Sequence, residues 1–153
     1  VEEVPLLLQE METNGIIYLD GMISIAGLDE KEYMLIPILT RMLHMVGVGS
    51  MSYSDVAKRV RKYTGGLHFF IETGSSLDES EDGFIALGIR MKALTRDYEE
   101  ALQILLSLLL ESRVDDTERI YAVIQDITSD FEANVGSSGH MFASQRASKL
   151  IYP

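Results

Sequence analysis

The sequence predicts an α+β domain in which an antiparallel sheet carries helices layered on one face. Three observations lead there. Three segments alternate apolar and polar residues with the two-residue period of a strand, and others space their apolar residues three and four apart, as one face of a helix does. Their order, β-α-α-β-β-α-α-α, lacks the regular βαβ alternation of a doubly wound sheet.

The first strand is read at Gly15 to Ala26, rich in β-branched and aromatic residues. Ile17, Leu19, Gly21, Ile23 and Ile25 share one face, and Ile16, Tyr18, Asp20, Met22 and Ser24 form a wetter one. Leu35, Ile38, Leu39, Met42, Leu43 and Val46 then mark an amphipathic helix. Proline fits only the first helical turn, so this helix is expected to begin near Pro37 and to end at Gly47 and Gly49.

Ser52 with Asp55 three residues later resembles a capping box and opens a second helix, Tyr53 to Tyr63, closed by Gly65 and Gly66. Strands Leu67 to Thr73 and Phe84 to Ala93 follow and read as an antiparallel hairpin. Its connection, residues 74–83, is acidic and too long for a tight turn. Asp97 with Glu100 opens a third helix to about Glu111, apolar around most of its circumference and expected to be largely buried. Asp115 with Glu118 opens a fourth, with the stripe Ile120, Val123, Ile124, Ile127 and Phe131. Gly136-Ser137-Ser138-Gly139 breaks it before a last helical stretch to Ile151.

Length and composition fit one α+β domain over residues 1–153. With 46% hydrophobic and 24% charged residues, the chain is of the globular class. No apolar run approaches the roughly 18 residues of a membrane span, so no membrane role is expected. The net charge of −11, from 24 acids against 13 bases, argues against nucleic acid as a partner. The basic cluster Lys58, Arg59, Arg61 and Lys62 reads as a solvated helix face. The absence of cysteine removes disulfides and thiolate metal sites, and agrees with a reducing compartment. The cytoplasm is expected, or an organellar matrix if the source is eukaryotic. Because the chain starts at Val1 and not at Met, it reads as a fragment of a longer multidomain chain.

No catalytic constellation emerges. The histidines His44, His68 and His140 never share a helical face at i, i+4 spacing, as paired zinc ligands would. Neither Gly-x-Ser-x-Gly nor a glycine-rich phosphate loop occurs. The acids Asp78, Glu79, Glu81 and Asp82 lack the alternate-residue spacing of a calcium loop. Met42, Met45 and Met51 cluster around one helix end, where core filling outweighs an adaptable groove.

The stretch Thr13 to Leu67 resembles the presequence-protease branch of the pitrilysin-type zinc metallopeptidases, at the domain opening the non-catalytic C-terminal half. The resemblance rests on Thr13-Asn14-Gly15-Ile16-Ile17-Tyr18-Leu19, on Leu35-Ile36-Pro37-Ile38-Leu39 followed by Gly47, and on the turn Tyr63-Thr64-Gly65-Gly66 into Leu67. From Gly74 onward it is one of element order. It implies a parent with several related α+β domains closing as a clamshell around peptides, with zinc held by a His-x-x-Glu-His motif in another domain. Aligned on Gly47, the positions of that motif fall on Ile38, Arg41 and Met42, which can neither bind zinc nor act as a general base.

The expected function is therefore that of a non-catalytic domain forming part of a chamber wall, inactive alone and with no cofactor of its own. Other domains of the same polypeptide and unstructured peptides are its expected partners. The candidate peptide-facing surface is the strand face with His68, Phe70, Glu72, Arg90 and Lys92. A free-standing peptide or protein interaction module, and an inactive structural subunit of peptidase fold, are the alternatives.

Overall fold

The computed structural model describes residues 5–74 and 84–151. Three strands, β1 (Ile16–Ser24), β2 (Gly66–Gly74) and β3 (Phe84–Leu94), form one antiparallel sheet in the order β1-β3-β2. The expected hairpin is therefore present, and β1 closes on the other side of β3. The acids Asp78, Glu79, Glu81 and Asp82 of its connection lie outside the described residues.

The chain enters β1 through Asn14 and Gly15, whose φ angles of 52° and 76° are left-handed. The Ile16 amide donates to the Thr13 carbonyl across them at 3.2 Å. Asn-Gly is the pair that tolerates two successive positive φ angles, which suits it to this tight turn. The register then sets Gly21 and Phe69 on either side of Ile89, and Leu19 and Leu67 on either side of Met91. Their side chains share the face that builds the core, together with Leu87 and Ala93.

The first helix, α1, runs Glu30–Met42 and starts a full two turns before the expected Pro37. Asp29 accepts from the Glu32 amide at 2.9 Å, and Glu32 accepts from the Asp29 amide at 2.8 Å, a complete capping box. Pro37 sits inside the helix, exposed, without the amide that would reach back one turn. Tertiary packing overrides that loss, because α1 is gripped on two sides. Ile36, Leu39 and Leu43 pack into the sheet core, while Ile38, Met42 and Val46 meet Ile120, Val123 and Ile127. Leu35, expected in the buried stripe, lies on the outer side and is exposed.

The second helix, α2 (Tyr53–Tyr63), has the expected bounds. Ser52 accepts from the Asp55 amide, and its own hydroxyl donates to the Asp55 carboxylate at 2.7 Å, so the box is only half made. A 3₁₀ turn, Thr95–Asp97, precedes α3 (Tyr98–Leu110), and Asp97 makes no capping bond. Ala101, Ile104, Leu105 and Leu108 are buried, but Leu106 and Leu110 are 47% and 79% exposed, so α3 is less covered than its composition predicts. One flank fits the sheet and α2; nothing in the described residues covers the other.

The last helix, α4, spans Thr117–Ile151, and Asp116, not Asp115, caps it by accepting from the Arg119 amide at 3.0 Å. Ser138 leaves helical geometry at φ −113° and ψ 18°, which divides α4 at the expected break. The rings of Phe131 and Phe142 lie 5.2 Å apart. A straight helix would hold those two positions about 16 Å apart, so the chain bends back at Ser138.

Helices α1 and α2 pack on β2 and α3 on β3, while α4 stacks outside α1, away from the sheet. Leu108, 1% exposed, is central to the larger core cluster. Leu108→Ala removes three buried carbons and leaves a void, and is expected to cost about 2–5 kcal/mol of stability in urea unfolding of this chain.

Candidate functional site

The face of the sheet opposite the helices is formed by the other half of each alternation. Tyr18 and Gly66 flank Lys92, Asp20 and His68 flank Arg90, Met22 and Phe70 flank Gly88, and Ser24 and Glu72 flank Ala86. The five surface residues expected from sequence thus lie on neighbouring positions of one face. His68, Arg90 and Lys92 are exposed, and Phe70 and Glu72 half-buried.

Their arrangement is ordered by two contacts. Arg90 donates from Nε and Nη2 to the two oxygens of Asp20, at 2.8 and 3.1 Å, and its guanidinium lies 5.6 Å from the centre of the Phe70 ring. The Arg90 hydrogen bonds hold the Asp20 carboxyl below its usual range, with the nearby positive charge adding to the effect. Phe70 in turn lies over Gly88, where a Cβ would run into its ring, and Phe84 covers Gly74 in the same way. An aromatic ring seated on a cross-strand glycine closes a gap in the sheet surface.

Asp20, Tyr18 and Met22 belong to this surface as fully as the five predicted residues, with Tyr18 and Met22 more than 60% exposed. The wetter face of β1 was legible from its alternation. Its adjacency to Arg90 depends on β1 pairing with β3, which no local pattern encodes.

The turn residues Tyr63, Thr64, Gly65 and Gly66 join α2 to the edge of this face. The Thr64 hydroxyl donates to the Val60 carbonyl at 2.8 Å and accepts from the Gly66 amide at 3.3 Å. The Gly65 amide donates to the Lys92 carbonyl at 2.8 Å. Gly66 has φ 149°, where a side chain would be strained and would crowd His68 and Lys92. Tyr63 packs on the core and receives the Lys62 ammonium at 2.9 Å on its hydroxyl.

Ile38, Arg41 and Met42 lie elsewhere, on the side of α1 that meets α4. Ile38 and Met42 pack against the Val123 cluster, and Arg41 reaches Asp130 at 3.2 Å. They supply no zinc ligand: two are apolar and the third is a cation. Among the described residues no three His, Asp or Glu side chains converge to hold a metal ion. His44 follows α1 and lies against Phe69 with ring centres 5.2 Å apart and planes tilted by 49°; desolvation there lowers its pKa, and the charges of His68 and Arg41 lower it further. Met42, Met45 and Met51 all pack against core clusters, as expected of core filling. Of the basic cluster, Lys58 pairs with Asp55, and Arg59 with Glu100 at 2.9 Å. Arg59 edges a cleft of about 60 Å³ between α2 and α3, too small for a peptide.

Among the described residues the open face carries a ring, a thioether, a phenol, an imidazole and charges of both signs. Comparison with known sequences decides the lineage. The profile of the "Peptidase M16-C associated" family matches residues 1–153. The chain belongs to that family.

Mitochondrial presequence protease of Danio rerio is 29% identical over 98% of this chain, and that of Drosophila melanogaster 26% identical over 99%. Protein HypA of Clostridium perfringens is 23% identical over 95% of it. In each case the chain spans about 15% of the relative's length. The resemblance drawn from Thr13 to Leu67 thus extends past Gly74 to the whole chain. Along its whole length the chain corresponds to one segment of these longer relatives.

The Asp20–Arg90 pair gives this surface a measurable signature. In the fold Asp20 favours its carboxylate form, so it contributes stability above its unfolded pKa and loses that contribution as pH falls through the lower folded value. Arg90→Gln is expected to raise the Asp20 titration toward the ordinary carboxylate range, followed by NMR of its carboxyl carbon. An unchanged titration would show that Arg90 is not what holds it down.

Proposed function

We propose that this domain forms part of the wall of a substrate-enclosing chamber in a larger zinc metallopeptidase, touching unstructured peptides while other domains of the same polypeptide supply zinc and cut. The observation that carries the reading is the uncovered sheet face. A ring, a methionine and a tyrosine lie among opposed charges, on a sheet whose other face is packed with helices. Such a mixture favours contact with extended peptides of varied sequence, because apolar groups and charges of both signs are all within reach. The whole-length family match and the 15% share of relatives named as proteases support a domain of an enzyme over a free-standing module or an inactive subunit.

Ile38, Arg41 and Met42 stand, on this reading, where a catalytic sister domain holds its His-x-x-Glu-His motif, and their packing against α4 is what replaced it. The compartment proposed is an organellar matrix where the source is eukaryotic, in line with relatives named mitochondrial, and the cytoplasm where it is bacterial. No helix among the described residues is long and apolar enough to cross a membrane.

Two measurements test this. In the full-length enzyme, Phe70→Ala combined with Lys92→Ala is expected to raise KM several-fold for long unstructured peptides and to leave kcat on a short reporter peptide unchanged. An unaltered KM at every peptide length removes the face from substrate contact. Zinc titration of this chain by calorimetry, alongside hydrolysis of a long peptide, is expected to give neither stoichiometric binding nor turnover. Tight binding with cleavage would overturn the non-catalytic assignment.

A further inference from the structure

One end of the open face differs from its mixed middle. A Cβ on Gly66 would lie 3.2 Å from Nε2 of His68 and 3.6 Å from Cε of Lys92, and one on Gly65 would lie 3.2 Å from Cγ of Lys92. The two glycines therefore let an imidazole and an ammonium stem lie down on the sheet and draw together over one point. Side chains at either position would push them apart. The amides below are already bonded, Gly65 to the Lys92 carbonyl and Gly66 to the Thr64 hydroxyl. Recognition at this point falls to the two side chains, since Lys92 donates from Nζ and an imidazole can donate from Nε2. Both residues are exposed, and among the described residues neither is paired with a carboxylate, whereas Arg90 beside them is engaged by Asp20.

The charges along the face are ordered. From Lys92 and His68 it passes to the Asp20–Arg90 pair, then to Met22 and Phe70 on either side of Gly88, then to Glu72 beside Ala86. The stretch of β3 from Lys92 back to Ala86 covers about 20 Å at the rise of a strand. Donors stand at one end and a carboxylate at the other, with apolar groups between. All three strands also stop close to the donor end: β2 begins at Gly66, β1 begins at Ile16 and β3 ends at Leu94.

We infer that His68 and Lys92, laid over Gly65 and Gly66, form a subsite for the C-terminal carboxylate of an extended peptide. The inference deepens the reading of the open face as a peptide contact and rests on it. Two convergent donors without an acidic partner are complementary to an anion, and a carboxylate offers one oxygen to each. Their place at the end of the face favours a chain terminus over an internal acidic side chain, because a peptide continuing past them would leave the sheet. With its end held there, the peptide runs toward Glu72 and lays its apolar side chains on Met22 and Phe70.

The test uses the full-length enzyme and unstructured peptides of one sequence with a free or an amidated C-terminus, together with an amidated version carrying an internal Glu. The free acid is expected to show a KM about five-fold below that of the amide, the size an exposed ion pair allows. Lys92→Met and His68→Ala are each expected to shrink that ratio by raising the KM of the free acid alone, with kcat unchanged. Phe70→Ala is expected to raise both KM values together and to keep the ratio. Equal KM values for acid and amide in the wild type overturn the subsite, and so does a ratio that survives both variants. A lower KM for the internal Glu peptide that depends on Lys92 overturns the choice of a terminus. In each of these cases, a KM raised by Phe70→Ala for both peptides keeps the face as a contact, and an unaltered one removes the face as well.

Discussion

β3 is the strand on which everything else is registered. Among the described residues it alone is hydrogen-bonded on both sides, and its two-residue alternation sorts the domain into two faces. Ile85, Leu87, Ile89, Met91 and Ala93 point to the helices; Ala86, Gly88, Arg90 and Lys92 point away from them. A slip of one residue would send Arg90 and Lys92 into the core and Met91 into solvent. The core and the open surface are thus set by one constraint. The small residues Ala86 and Gly88 in the middle of the open face are what allow neighbouring side chains to close over it.

Most of the fold was legible because most of it is local. Each strand alternates, and α2 is bounded by Ser52 and the Thr-Gly-Gly turn within its own few residues. The start of α1 was missed because Pro37 outweighed a quieter signal, Asp29 with Glu32, which obeys the capping-box spacing in full. Leu35 was misplaced for a related reason. With the helix starting at Glu30, two apolar stripes run along it, one for the sheet and one for α4, and Leu35 belongs to neither. The burial of α3 was overestimated because composition counts apolar residues without saying whether a partner exists for each flank, and Leu106 and Leu110 have none among the described residues.

The surface was half legible. Residues on β2 and β3 could be grouped because a hairpin fixes their adjacency; Asp20, Tyr18 and Met22 could not, since β1 reaches β3 across about seventy residues of chain. The family turn Tyr63 to Gly66 was recognisable by its residues, and its physical basis is the positive φ of Gly66 and the two bonds of the Thr64 hydroxyl. Ile38, Arg41 and Met42 illustrate how the same helix can serve two ends. Positions four residues apart that would grip a metal grip another helix just as well, and the choice lies wholly in the side chains.

The ring of Phe70 has one more consequence. Because it already rests on Gly88 and beneath Arg90, it cannot swing aside without baring main chain that a side chain would otherwise shield. A ring seated in this way has less freedom left to lose. A group held in place in advance loses little conformational freedom on contact, which raises the affinity of even a shallow surface. On this sheet pre-organisation comes from a glycine, the residue usually associated with looseness.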